Sequence, residues 1–357
     1  MRIVAHNGAR IWGGAERATV SLLRGLGDRG HDVLLLCNSD LVADEASARG
    51  VPSRVCKIGG DIAVNHVWRI KRELEREKPD AFIVGTYKKL FMAAWGAKKA
   101  GVPRVVARVG LESDTPRSIK YTFALRHWTD GVAVNARRMI KPFAELGGFG
   151  HERVRLIWNS VSAPDHVVRS DKVRKELRID DDVFVVGAVA RLSIQKQLDR
   201  LIRATAEIPG AHCVIAGEGT SREALEHLVR ELNVGDRVHL LGERDDVNDV
   251  LDALDVYAVT SNSEGMSNAM LEAMSRGLPV VSTDVSGAED ALAPDSSGNA
   301  AGLIVGFEVE SLTSALERLR ADRPLRDKLA QEARQRALNQ FSREKMLSDW
   351  EEFLSAR

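Results

Sequence analysis

Glu264 and Glu272 stand eight residues apart in a stretch, Thr260 to Pro279, whose residue types could seat a charged, hydroxyl-rich ligand. Asp255 to Thr260 has the apolar run of a short buried strand, Gly277-Leu278-Pro279 stops a helix, and Val280 to Thr283 begins another strand. Ser267 or Asn268 is the expected N-cap of that helix. Gly265, Met266, Ser267 and Asn268 then present backbone N–H groups at its positive end, where an anion is favoured. Glu264 lies in the loop at the mouth of this seat and Glu272 about two turns along the helix, so the acids flank it. Carboxylates accept from vicinal hydroxyls. An anion between two hydroxyl-bearing groups describes a sugar, a diphosphate and a ribose; the plain alternative is a solvated loop acid and a helix-face acid.

A second group of candidates follows the nearly all-apolar run Val183 to Ala190, which reads as a buried parallel strand. Arg191 and Lys196, five residues apart in the loop before a helix over 198–206, can converge on one diphosphate. Arginine brings a bidentate fork and lysine a point charge; the alternative is two solvated loop cations. The strand His212 to Ala216 delivers Gly217-Glu218-Gly219, whose glycines let a base or ribose approach the backbone. Arg244-Asp245-Asp246 contains paired acids, but Asp246 reads as the cap of a helix over 247–254 rather than as half of a metal site.

These groups need a scaffold of alternating strands and helices. With 357 residues the chain is long enough for about two domains, each with its own core. Lys and Arg total 51 against 51 Asp and Glu, so overall charge selects no partner. The distribution is uneven: 87–141 holds twelve Lys and Arg against Glu112, Asp114 and Asp130, an excess of nine positive charges that the rest must balance. Cys37, Cys56 and Cys213 have no metal-ligand spacing, and their odd number argues against a disulfide framework. The chain enters a strand at once, with no signal peptide, and no apolar run approaches the roughly 18 residues that span a bilayer. An intracellular protein is expected.

In the first half the pattern predicts strands at 2–6, 32–37, 52–57, 81–85, 102–108, 131–134 and 154–158, with helices over 15–30, 64–78, 88–100 and 116–128. The loop Trp12-Gly13-Gly14-Ala15-Glu16 opens the first helix, and no Gly-x-Gly-x-x-Gly follows strand one, which counts against a dinucleotide site. The predicted helix over 116–128 interleaves Arg117, Lys120 and Arg126 with Ile119, Tyr121, Phe123 and Trp128. Such a helix can rest on an anionic lipid surface, or simply on the sheet with its cations exposed. The basic region could equally attract a phosphorylated or acidic acceptor.

Glu264-Gly265-Met266-Ser267-Asn268, Leu271-Glu272-Ala273-Met274, Gly277-Leu278-Pro279-Val280-Val281 and Gly287, in that order, resemble the retaining glycosyltransferases of the GT-B fold that use nucleotide sugars, often called group 1. The resemblance covers nearly the whole chain, with its specific motifs in 183–305. It implies an α/β fold of two Rossmann-like domains facing a central cleft. The divisions expected are 1–163 for the acceptor, 164–340 for the nucleotide sugar, and 341–357 as a terminal helix crossing back, its stripe being Met346, Leu347, Trp350 and Phe353. It implies that Glu264 contacts the donor sugar, that Glu272 holds the ribose, and that Arg191 and Lys196 offset charge on the departing diphosphate. Gly13 and Gly14 match the loop that approaches the donor phosphate. Asn159-Ser160-Val161 resembles the family's interdomain Asn-Gly-Val.

Two departures stand out. Gln197 occupies the position of the glycine usual after the lysine. At the end of strand five, where many members carry a histidine, this chain has Arg108-Val109-Gly110-Leu111-Glu112. Arg108 and Glu112 are placed to face the cleft, and His6, at the same sheet edge, is the substitute histidine or a structural one. The resemblance implies no metal and no cofactor beyond the nucleotide diphosphate sugar, a glycan, glycolipid or small-molecule acceptor, no nucleic acid, and a cytoplasmic enzyme, peripheral to the inner membrane face if 117–128 docks there. The rivals are a nucleotide-sugar-binding protein without transferase activity and a nicotinamide-dependent oxidoreductase.

Overall fold

The computed structural model describes residues 1–59, 64–111, 114, 118–147, 150–162, 167 and 169–356. The chain divides into two compact units, Met1–Asn159 with Arg343–Arg357, and Ser160–Ser342. Each is a parallel sheet covered by helices.

The first unit alternates β1 (Arg2–Asn7), α1 (Gly14–Asp28), β2 (Asp32–Cys37), α2 (Asp40–Ala48), β3 (Ser53–Val55), α3 (Val64–Glu77), β4 (Ala81–Val84), α4 (Leu90–Lys99), β5 (Arg104–Val109), α5 (Ile119–Trp128), β6 (Gly131–Val134), α6 (Ile140–Gly147) and β7 (Val154–Leu156). Its seven strands run in the order β3-β2-β1-β4-β5-β6-β7. Ile3, Val4 and Ala5 are wholly enclosed because both faces of β1 are covered, which is why the strand carries an unbroken apolar run. The order reverses between β1 and β4, and the carboxyl ends there are where open α/β sheets place ligands.

The second unit contains α7 (Lys172–Leu177), β8 (Val185–Val189), α8 (Leu198–Glu207), β9 (His212–Ala216), α9 (Arg222–Glu231), β10 (Val238–Leu240), α10 (Val247–Asp252), β11 (Val256–Val259), α11 (Asn268–Ser275), β12 (Val280–Thr283), α12 (Ser286–Leu292), β13 (Gly302–Val305), α13 (Val309–Ala321) and α14 (Arg323–Asn339). Its strand order, β10-β9-β8-β11-β12-β13, repeats that of the first six strands of the other sheet, with the reversal between β8 and β11. The loops leaving those two strands begin at Ala190 and Thr260. They carry Arg191, Lys196, Glu264 and the approach to α11.

The last helix, α15 (Arg343–Ser355), belongs to the first unit. Met346, Leu347, Trp350 and Phe353 are buried with Ile3, Leu23 and Val106 in one core. Arg29 and His31 tie its outer face through Glu351, at 2.7 and 2.9 Å.

Several expected elements differ. Helix 116–128 starts at Ile119, and 116–117 lie outside the described residues. Ser286 to Glu289, around the Gly287 of the resemblance, form the start of α12. Four further helices, α2, α6, α7 and α9, were not among the expected elements. Asp246 precedes α10 without a side-chain cap; its carboxylate goes instead to Arg244 at 2.8 Å and Lys172 at 2.6 Å. Arg244 first, then Lys172, holds that carboxyl well below the usual range. The three cysteines are free and buried, and burial pushes the Cys37 thiol up to about 12.

Candidate active site

In the second unit the loop after β8 forms a single tight turn, Ile194–Lys196, and the loop after β11 runs beside it. Asn262 N donates to the Gln195 carbonyl at 2.9 Å, and Thr260 Oγ1 donates to that of Lys196 at 2.8 Å. Arg200, on the first turn of α8, donates to the Thr260 carbonyl at 3.1 Å. These bonds join two loops more than 60 residues apart in sequence and bring their charges together. Lys196 Nζ donates to Glu264 Oε1 at 2.5 Å, with the side chains only 21% and 11% exposed. A charge-assisted pair this short, with little water around it, fixes both partners.

Ser267 is the N-cap of α11, its hydroxyl accepting from Met270 N at 3.4 Å. Gly265, Met266 and Ser267 are buried against α12. A Cβ on Gly287 would stand 2.3 Å from the Gly265 carbonyl oxygen and 2.7 Å from Met266 Cα, so glycine there lets α12 press directly on the loop below the helix end. Glu272 is exposed on α11. Its charge and that of Glu264 both reach Tyr257, whose phenol is raised chiefly by burial and further by the two acids. Both charges therefore act on one buried phenol in β11. A small cavity of about 20 Å³ lies at the carboxyl ends of β8 and β11, lined by Val189, Ala190, Lys196, Tyr257, Ser261 and Ser267. A larger hollow, about 360 Å³, opens between α8 and α9, and neither acid lines either space.

Arg191 stands exposed beyond β8, on the same loop as Lys196. Gly217 and Gly219 take φ of +141° and +158°, and a Cβ on them would meet the carbonyl oxygens of Ala190 and Leu192 at 2.0 and 2.2 Å. The close approach these glycines permit is thus of the chain to itself. Leu192 N donates to the Glu218 carbonyl at 2.9 Å, which seats the Arg191 loop on this turn. The Glu218 side chain is exposed and pairs with Arg222. Gln197 takes φ 47°, ψ 45°, the left-handed region that favours glycine, and donates to the Ile194 carbonyl at 2.6 Å.

The candidates of the first unit are not joined in this way. Gly13 is the extended N-cap of α1, and Arg17 N donates to its carbonyl at 3.0 Å; Gly14 begins the helix, exposed. His6 is fully buried in β1, and its Nε2 donates to the Cys56 carbonyl at 3.3 Å. Burial lowers its pKa to about 4, leaving a neutral ring. Arg108, at the end of β5, reaches α1: Nη1 donates to Thr19 Oγ1 at 2.9 Å and Nη2 to Asn159 Oδ1 at 3.3 Å. Burial lowers its pKa, opposed by the charge of Glu16. Arg108 therefore ties the end of β5 to the helix that follows Gly13 and Gly14. Glu112 lies outside the described residues. Among those residues no three His, Cys, Asp or Glu side chains form a group that could hold a metal.

Two residues of the second site went unassigned in the sequence. Gln195 donates to the Ser263 carbonyl at 2.8 Å and to Glu264 Oε2 at 3.2 Å. Tyr257, wholly buried, donates to the Val189 carbonyl at 3.1 Å and holds β8 against β11. A lone aromatic with a polar tip in an aliphatic strand was a signal for Tyr257. For Gln195 the only signal was adjacency to Lys196.

A family model described as glycosyl transferases group 1 matches residues 169–336, and one described as Glycosyltransferase Family 4 matches residues 12–163. The chain is 28% identical over 354 residues to the lipopolysaccharide core biosynthesis glycosyltransferase LpsE of Rhizobium meliloti, covering 97% of this chain and 96% of that one. It is 26% identical to a UDP-Gal:alpha-D-GlcNAc-diphosphoundecaprenol alpha-1,3-galactosyltransferase of Escherichia coli, covering 92% and 90% of the two. Among solved structures it is similar to Anabaena HepE in complex with UDP and glucose, with a TM-score of 0.85, 20% identity and all of both chains covered. HepE has also been solved in complex with UDP-glucose, at a TM-score of 0.84 and 21% identity over 99% of both chains. At such identities the likeness to HepE shows the fold.

Proposed function

Because the chain belongs to the group 1 glycosyltransferases of the GT-B fold, we propose that it moves a hexosyl or related sugar, with retention and without a metal, from a nucleoside diphosphate to an acceptor hydroxyl in the synthesis of lipopolysaccharide or a similar envelope glycan. One observation carries this: Lys196 and Glu264, a cation for a diphosphate and an acceptor for hydroxyls, are joined at 2.5 Å beside the N-terminus of α11. The second unit holds the donor. Its diphosphate lies between Arg191, Lys196 and the N–H groups of Met266 to Asn268, its ribose at Glu272, its sugar at Glu264, and its base near Gly217 to Gly219. The first unit takes the acceptor.

As the sugar–phosphate bond breaks, charge grows on the leaving diphosphate. Fixed cations and N–H groups already aimed there stabilise it without reorganising. Glu264 is held by Lys196 and Gln195 and reads hydroxyls instead of attacking carbon. The acceptor therefore enters on the face the diphosphate leaves, and the leaving phosphate helps take its proton. The relatives, named as transferases, do not favour the rival of a binding protein without turnover.

Docking on an anionic membrane at the inner face of the cytoplasm fits α5, where Ile119 is 90% and Phe123 45% exposed beside Lys120 and Arg126, whereas Tyr121 and Trp128 pack against the core. No described helix is long and apolar enough to cross a membrane. Sedimentation with anionic vesicles at low salt tests this part; protein left in the supernatant removes it.

The donor assignment is tested by thermal stability against UDP, GDP, ADP, CMP and NAD, since a ligand of the folded state at 100 times its Kd adds about 2.7 kcal/mol. A shift with one nucleoside diphosphate is expected. A shift with NAD alone, or with none of the five, overturns the reading.

A further inference from the structure

Glu264 is gripped from two sides by one turn. Lys196 donates to Oε1 at 2.5 Å, and the neighbouring Gln195 donates to Oε2 at 3.2 Å while its amide also reaches the Ser263 carbonyl at 2.8 Å. The backbone of the same turn is stitched to the same loop through Asn262 N and Thr260 Oγ1. A carboxylate has room for about four hydrogen bonds, and each donor that occupies one oxygen fixes where the remaining lone pairs point. Only Lys196 carries charge toward a phosphate. The Gln195 side chain spends both of its contacts on the acid and its carbonyl neighbour.

We infer that Gln195 is a positioning residue: it orients the Glu264 carboxylate, through Oε2, so that the donor sugar's hydroxyls are read in one geometry. This rests on the donor site proposed above, and goes beyond it in giving the sugar and the nucleotide separable supports. Gln195 supports recognition of the sugar and is silent toward the nucleoside diphosphate.

The test uses Gln195→Met, which keeps the length of the side chain and removes its donors, and Glu264→Ala, singly and together. Calorimetry would measure the Kd of UDP, GDP and ADP and of UDP-glucose, GDP-mannose and ADP-glucose. For whichever nucleotide the wild-type protein binds, Gln195→Met should weaken the nucleotide sugar by about 10- to 100-fold, the worth of one hydrogen bond to a charged group, and the bare diphosphate by less than about 3-fold. In the Glu264→Ala background the same substitution should change sugar binding by less than about 2-fold, because the group it orients is gone. Equal weakening of sugar conjugate and bare diphosphate would show a turn that merely holds the loop. An undiminished effect without Glu264 would show action by another route. Either overturns the inference while the donor site stands. If the wild-type protein binds none of the six, the donor reading falls and this inference with it.

Discussion

The two units share a strand order yet differ in how they treat their charged groups. At the reversal between β8 and β11, Lys196 and Gln195 of one loop both donate to Glu264 of the other. In the first unit, His6 is sealed within β1 and Arg108 is turned to Thr19 and Asn159. One sheet edge concentrates charge at the ligand position given by topology, and the other uses its polar side chains to hold elements together. Equal architecture therefore does not mean equal chemistry.

The largest effect expected is on turnover. Arg191→Ala or Lys196→Ala should each lower it by one to several decades, on the order of 3 kcal/mol for one charge-stabilising contact, whereas Arg108→Met should leave nucleotide affinity within about 3-fold. Steady-state kinetics that found both alanine variants near wild type would erase the distinction between the units.

A pH effect of similar size separates the interiors. The unfolded chain protonates His6 near the ordinary 6.5, and the folded one not until about 4. Stability should therefore be fully present above pH 6.5 and fall as pH drops from 6.5 toward 4, by roughly 3 kcal/mol in all. Urea midpoints across that range should lose much of their slope in His6→Leu. Burial also lowers His212 and His239 in the second unit, and they supply a remainder of the same sign. An unchanged slope would mean that His6 is not the buried neutral ring described.

Gly287→Ala forces a methyl group into the backbone of Gly265 and Met266. It should cost about 1–3 kcal/mol in stability and weaken diphosphate binding with it. Loss of stability with full binding would detach the helix end from the anion. The smallest effect is at Gln197. Glycine there relieves the left-handed backbone but loses one hydrogen bond and adds freedom to the unfolded chain, so Gln197→Gly should stay within about 1 kcal/mol by thermal unfolding.

Much of the fold was legible because buried parallel strands announce themselves as apolar runs, as in Val185–Val189 and Ala81–Val84. Short helices such as α7 were not, since six residues hold too few repeats to show a period. That Arg191, Lys196, Glu264 and Glu272 serve one site is an expectation from the resemblance, whereas the 2.5 Å bond between Lys196 and Glu264 was not legible, because it depends on which strands are neighbours. Gln195 had no signal of its own; its role comes from the loop it faces. Asp246 misled because a residue before a helix suits capping, and two cations outbid the backbone for its carboxylate. At Gly217 and Gly219 glycine is required by the chain itself, because a Cβ would meet the carbonyls of Ala190 and Leu192, a demand that only the fold reveals.

The central claim, that the second unit anchors the donor through Lys196 and Glu264, is met most directly by calorimetry of UDP, GDP and ADP against the wild-type protein, Lys196→Ala and Arg108→Met. One diphosphate should bind the wild-type protein and Arg108→Met with the same Kd and Lys196→Ala at least about 10-fold more weakly. Equal binding by all three proteins, or a loss confined to Arg108→Met, would contradict the account.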